Sequence, residues 1–203
     1  FDEVGRHGQR RLDPGPVAHD VAGDVALGAR LVQADRAEPG AYDALLDREW
    51  DEVVEISYDL GLVQSALDAL AARAAHWTLV SSVSVYADDD VPHSDETARL
   101  VEPVDLDDYA HAKVAAERAT QTAVGDRLLI ARPGLIVGPG DGSGRFGYWP
   151  GRFAAAAAEG GPILVPDTRD RWSQVIDVRD LAEWIVDAGA AGRTGTVNAV
   201  GDE

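Results

Sequence analysis

Residues 107–125, DDYAHAKVAAERATQTAVG, decide how the rest of this chain folds. Asp107 or Asp108 can cap a helix N-terminus, alanines fill the interior and Gly125 can end it, so the stretch predicts a helix over 107–124. Tyr109 and Lys113 are four residues apart, which stacks them on one helical face. Lys113 is the only lysine among 18 basic residues; every other one is arginine. Keeping an ammonium there points to a need for a compact charge rather than a planar fork. One such need is to hold a neighbouring phenol near its ionised form, since a cation within about 4–6 Å lowers an acid's pKa. A phenol so tuned can act as general acid and base on a carbonyl/alcohol pair. The alternative from the same spacing is a solvated surface lysine beside a half-buried tyrosine.

Working outward, residues 76–86 (HWTLVSSVSVY) predict a strand running into a polar end, and 87–106 an acidic, proline-containing loop. Residues 127–137 (RLLIARPGLIV) predict a strand broken at Pro133 and Gly134. Upstream, strands are expected at 29–35 and 51–57, a short helix at 39–48 and an amphipathic helix at 60–75. Residues 1–28, rich in Gly, Pro and Asp, predict loop. Downstream come a glycine-rich loop at 138–151, a helix at 152–159, strands at 162–166 and 173–177, a helix at 178–188 and a strand at 195–200. Strand and helix alternating in this way predict an α/β fold, a doubly wound parallel sheet with right-handed crossovers. The strands at 29–35, 51–57, 77–84 and 127–133 are expected to be adjacent in it. Ligands bind beyond the carboxyl ends of such strands, which here carry Asp35, Ser57, Ser81 to Ser84, Pro133 and Gly134.

Composition narrows the choice. The chain has 203 residues, 45% hydrophobic and 27% charged, which suits one well-packed domain rather than disorder. No apolar run approaches a membrane span and no secretory signal opens the sequence, so a cytoplasmic protein without membrane partners is expected. With no cysteine, disulfides and thiolate metal sites are excluded, and no metal site is expected. A formal charge of −18 argues against nucleic acid as partner. There is no methionine, not even at position 1, so the chain is expected to be processed, truncated or incompletely recorded.

Five segments in order resemble the extended and atypical short-chain dehydrogenase/reductases of the NAD-dependent epimerase/dehydratase type. LVSSVSVYA (79–87) is similar to that family's strand ending in Ser-Ser-x-x-Val-Tyr, and Tyr109-Ala-His-Ala-Lys113 to its Tyr-x-x-x-Lys pair. ARPGLIVGPGD (131–141), VIDVRDLAEWIV (175–186) and GTVNAVG (195–201) resemble its later segments. The resemblance implies a Rossmann-like dinucleotide-binding domain over 1–203, incomplete at its N-terminus and at its C-terminus, with 139–172 opening a substrate-side region. It implies Tyr109 as acid/base, Lys113 as the ligand of the nicotinamide ribose, and Ser82 as the hydroxyl on the reacting oxygen. Asp35 would contact the adenine, Ser57 and Ser81 would lie at the cofactor edge, and Pro133 and Gly134 would lie along the nicotinamide.

The family's Gly-rich fingerprint does not occur in the sequence, so a strand, helix and strand are expected before Phe1. Asp2 would then suit the ribose hydroxyl of NAD and Arg6 the 2′-phosphate of NADP, which leaves NAD or NADP open as cofactor. Val83 and Ser84 stand where the sugar dehydratases carry Asp-Glu, against that dehydration. Arg169 and Arg171 are out of register with the arginine that grips a nucleotide-sugar diphosphate. The expected function is a nicotinamide-dependent reductase or epimerase acting on a sugar-like or other small hydroxyl/keto substrate. The resemblance leaves a homodimer open. The alternative is a non-catalytic dinucleotide-binding redox sensor or RNA-associated member.

Overall fold

The computed structural model describes residues 29–88, 90–141, 143, 145–165, 167 and 173–201. The chain divides into two units between Gln33 and Ala34. Of the first, only 29–33 are described, and they have no regular secondary structure.

The second unit is built on strand β1 (Trp50–Glu55), helix α1 (Leu60–Leu70), β2 (Ala74–Val80), α2 (Tyr109–Val124) and β3 (Leu128–Pro133). Then follow β4 (Leu135–Val137), α3 (Tyr148–Glu159), β5 (Val175–Asp177), α4 (Val178–Ala190) and β6 (Gly195–Ala199). The main sheet has the order β1-β2-β3-β6 with every pair parallel, and β4 and β5 form a separate parallel pair.

Period-2 alternation along β2 divides the core between two faces. Trp77 and Leu79 join Val63, Leu67, Leu70, Val124, Leu128 and Ile130 in the layer shared with α1 and α2. Val80 joins Ile176, Leu181, Ile185 and Ala199 in the layer under α4. Helices therefore cover both faces, and the sheet is the expected Rossmann-like one. Among the described residues no helix is long and apolar enough to cross a membrane.

Three expected elements are not formed. Residues 29–35 are irregular rather than a strand. The Asp35 carboxylate accepts the Ala37 N–H at 2.9 Å and its carbonyl the Glu38 N–H at 3.0 Å, which makes a turn at the end of the expected strand. Residues 39–48 hold only a single 3-10 turn, Asp43–Leu45, after Gly40 at φ 81°; Tyr42, Leu45 and Leu46 nevertheless pack on the core. Among the described residues, 162–165 belong to no strand, and Leu164 is 91% exposed. Several boundaries also move. The 60–75 helix stops at Leu70, because Ala74 and the residues after it are recruited as β2 alongside Trp50. Helix α3 starts at Tyr148, inside the expected loop.

Candidate active site

Helix α2 delivers two of the predicted residues to the carboxyl edge of the sheet. Its cap is Asp108, whose carboxylate accepts the N–H groups of Ala110 at 2.9 Å and His111 at 3.1 Å, making Tyr109 the first helical residue. One turn on, Lys113 is 2% exposed. Its ammonium donates to the carbonyls of Ile56 (3.2 Å) and Ser57 (3.1 Å), just past β1, and of Val80 (2.7 Å), the last residue of β2. All three N–H donors are satisfied. Burial lowers the Lys113 pKa to about 8, against the opposing pull of the Glu55 and Glu117 carboxylates.

The Lys113 Nζ lies 6.0 Å from the centre of the Tyr109 ring. Tyr109 is 45% exposed and meets Tyr58 edge-on, with centroids 5.4 Å apart. Its pKa is raised, chiefly by burial; a hydrogen bond with the Ser82 hydroxyl and the charge of Arg145 pull the other way. This corrects the expectation that the lysine brings the phenol below its ordinary value. Burial of the phenol is the largest influence on it, and the ammonium stands 6.0 Å from the ring centre.

Ser82 ends the polar run after β2. Its Oγ accepts the Ser84 N–H at 3.1 Å and lies 3.0 Å from Ser84 Oγ, and it is near enough to the Tyr109 phenol to oppose the rise that burial causes in its pKa. Ser82, Tyr109 and Lys113 thus converge, and Ser57 joins them through its carbonyl.

The remaining predicted residues are placed otherwise. Ser81 is buried and donates to Glu117 Oε1 at 2.5 Å, away from the Ser82 hydroxyl. Asp35 closes the turn described above. Pro133 ends β3, and Gly134 presses on the neighbouring backbone: a Cβ there would lie 2.4 Å from the Gln174 carbonyl oxygen. Asp2 and Arg6, and likewise Arg169 and Arg171, lie outside the described residues. His111 is half-buried, and its Nδ1 accepts the Asp105 N–H at 3.2 Å.

Sequence reasoning missed the two Arg–Glu pairs that flank Lys113. Glu117 accepts Arg132 Nε at 3.0 Å and Nη2 at 2.7 Å, and both residues are about 4% exposed. Arg132 also donates to the Tyr86 hydroxyl at 3.0 Å, which in turn donates to Asn198 Oδ1 at 2.6 Å. On the other side, Glu55 pairs with Arg36 through both carboxylate oxygens. Signals for both were present. Glu117 stands four after Lys113, and Glu55 interrupts an apolar strand two residues after Val53, on its core-facing side.

The family model of the NAD dependent epimerase/dehydratase family matches residues 16–201. No curated protein matches the sequence. Among solved structures, one described as an epimerase candidate from Burkholderia cenocepacia J2315 is 24% identical over 93% of this chain and 65% of its own, with a TM-score of 0.71. The chain thus spans just under two thirds of that relative. RMD from Pseudomonas aeruginosa, solved with NADPH, is 21% identical over 88% of this chain and 73% of its own, with a TM-score of 0.64. UDP-N-acetylglucosamine 4-epimerase from Bacillus cereus is 17% identical over 75% and 58%, with a TM-score of 0.53. At these identities the likeness is one of fold.

Proposed function

Because this chain belongs to the NAD-dependent epimerase/dehydratase family, we propose that Ser82, Tyr109 and Lys113 form the site of a nicotinamide-dependent epimerase or oxidoreductase. Its substrate on this reading is a sugar-like or other small hydroxyl/keto compound, and residues 139–172 begin the substrate side. The observation that carries the reading is the nearness of the Ser82 hydroxyl to the Tyr109 phenol, with the buried Lys113 ammonium 6.0 Å from the ring centre, all at the carboxyl edge of a parallel sheet.

The donor set suits the ribose end of NAD or NADP. Lys113 can exchange one carbonyl partner for a ribose hydroxyl and keep three hydrogen bonds, so binding need not leave a donor unpaired. The bound nicotinamide supplies the hydride acceptor or donor. Tyr109, neutral at rest, gives its proton to the substrate oxygen as charge builds there in the reducing direction and takes it back in oxidation. The Ser82 hydroxyl, held by Ser84, donates to the same oxygen and fixes its position. With Tyr58 covering one edge of the ring, substrate reaches the phenol from its exposed side.

The test is a screen of nucleotide sugars and small keto sugars with NAD and NADP, following reduced nicotinamide and separating epimers, with Ser82→Ala beside the unchanged protein. Turnover that Ser82→Ala cuts sharply supports the site. Turnover that it leaves untouched overturns it.

A further inference from the structure

The charges of two carboxylates act on Lys113, each paired with an arginine: Glu55 with Arg36, and Glu117 with Arg132. The Glu117 pair joins α2 to β3 and belongs to the network under the helix. The Glu55 pair is built differently. Glu55 is 4% exposed at the end of β1, and its Oε1 accepts the Ser57 N–H at 2.8 Å. That bond folds the chain back immediately after the strand, and the carbonyls it presents, Ile56 and Ser57, are two of the three that Lys113 binds. Arg36 fixes the carboxylate by contacting both of its oxygens while also donating to the Leu62 carbonyl at 3.2 Å and the Tyr42 hydroxyl at 2.7 Å. A continuous line of contacts therefore runs from Arg36 through Glu55 and Ser57 to the ammonium.

We infer that Glu55, clamped by Arg36, is the positioning residue for Lys113: it sets the carbonyl cradle into which the ammonium donates and places a carboxylate on that side of it. Its meaning for catalysis rests on the function proposed above; its effect on Lys113 does not. Among the described residues, the titratable and charged groups facing Lys113 are Glu55 from β1 and Glu117 and Tyr109 from α2. Arg36 and Arg132 stand behind the two carboxylates, and from β2 only the Val80 carbonyl reaches it. Burial disfavours the charged form, so removing either sign of neighbouring charge has a defined direction.

The test uses the fact that this is the only lysine in the chain. Labelling with [ε-13C]lysine yields one NMR signal, and its pH titration reads Lys113 without assignment. Glu55→Gln keeps a side-chain oxygen for the Ser57 N–H but removes the charge, and should lower the midpoint by roughly one pH unit. Arg36→Gln leaves the carboxylate uncompensated and should raise it. If Glu55→Gln does not fold, the rise in Arg36→Gln decides alone. A purely structural pair would weaken folding in both variants without opposite shifts. Midpoints that stay put, or that move the same way, overturn the inference. Opposite shifts in a protein that turns over no substrate would sustain it while the proposed function failed.

Discussion

Tyr109 rests as a neutral phenol, so its first act in the proposed chemistry is to donate a proton. Tyr109→Phe should lower kcat by about 10²–10⁴-fold while leaving cofactor affinity nearly unchanged, which steady-state kinetics and a binding titration separate. Lys113 should behave differently. Its ammonium is charged below a pH of about 8, so affinity for a ribose diol should fall as pH rises through that value. The sign for stability is the reverse. The unfolded chain keeps this proton up to its ordinary value of 10.5 while the folded chain releases it near 8, so the penalty for burying the charge is full below about 8 and disappears between the two. Denaturant midpoints should therefore rise across that window relative to Lys113→Met, which has no proton to lose. A flat difference would mean that the ammonium is better solvated than its 2% exposure implies.

Among the elements, α2 depends on its first turn. Asp108→Ala removes the acceptor for two backbone N–H groups and should cost about 1 kcal/mol in urea unfolding, with some loss of turnover because Tyr109 is the next residue. The switch from β3 to β4 depends on Gly134. A methyl group there would overlap the Gln174 backbone, which no rotamer change can relieve, so Gly134→Ala should destabilise by about 1–3 kcal/mol and disturb the β4–β5 pair. The sequence signalled this break through Pro133-Gly134 but could not say what crowds it, because Gln174 is forty residues away. Residues 29–35 illustrate the opposite failure: their local pattern suits a strand, yet Asp35 bonds its own following turn.

At the scale of the whole molecule, the Glu117–Arg132 pair ties α2 to β3 and, through Tyr86 and Asn198, to β6. Glu117→Ala would leave a buried guanidinium uncompensated and should cost about 3–5 kcal/mol, measurable as a shift in the denaturant midpoint. The net charge of −18 works against compactness throughout, so added sodium chloride should raise Tm.

The sequence by itself determined the parallel α/β architecture, the helix bearing Tyr109 and Lys113, and the placing of Ser82 at a strand end. These follow from periodicity, caps and turn residues, which act over a few positions. What surrounds Lys113 was decided only by the tertiary structure. The ammonium meets carbonyls 33, 56 and 57 residues away, and its flanking carboxylates come from two different elements. No local pattern reports such distances, and burial, not sequence spacing, sets the protonation of both the lysine and the tyrosine.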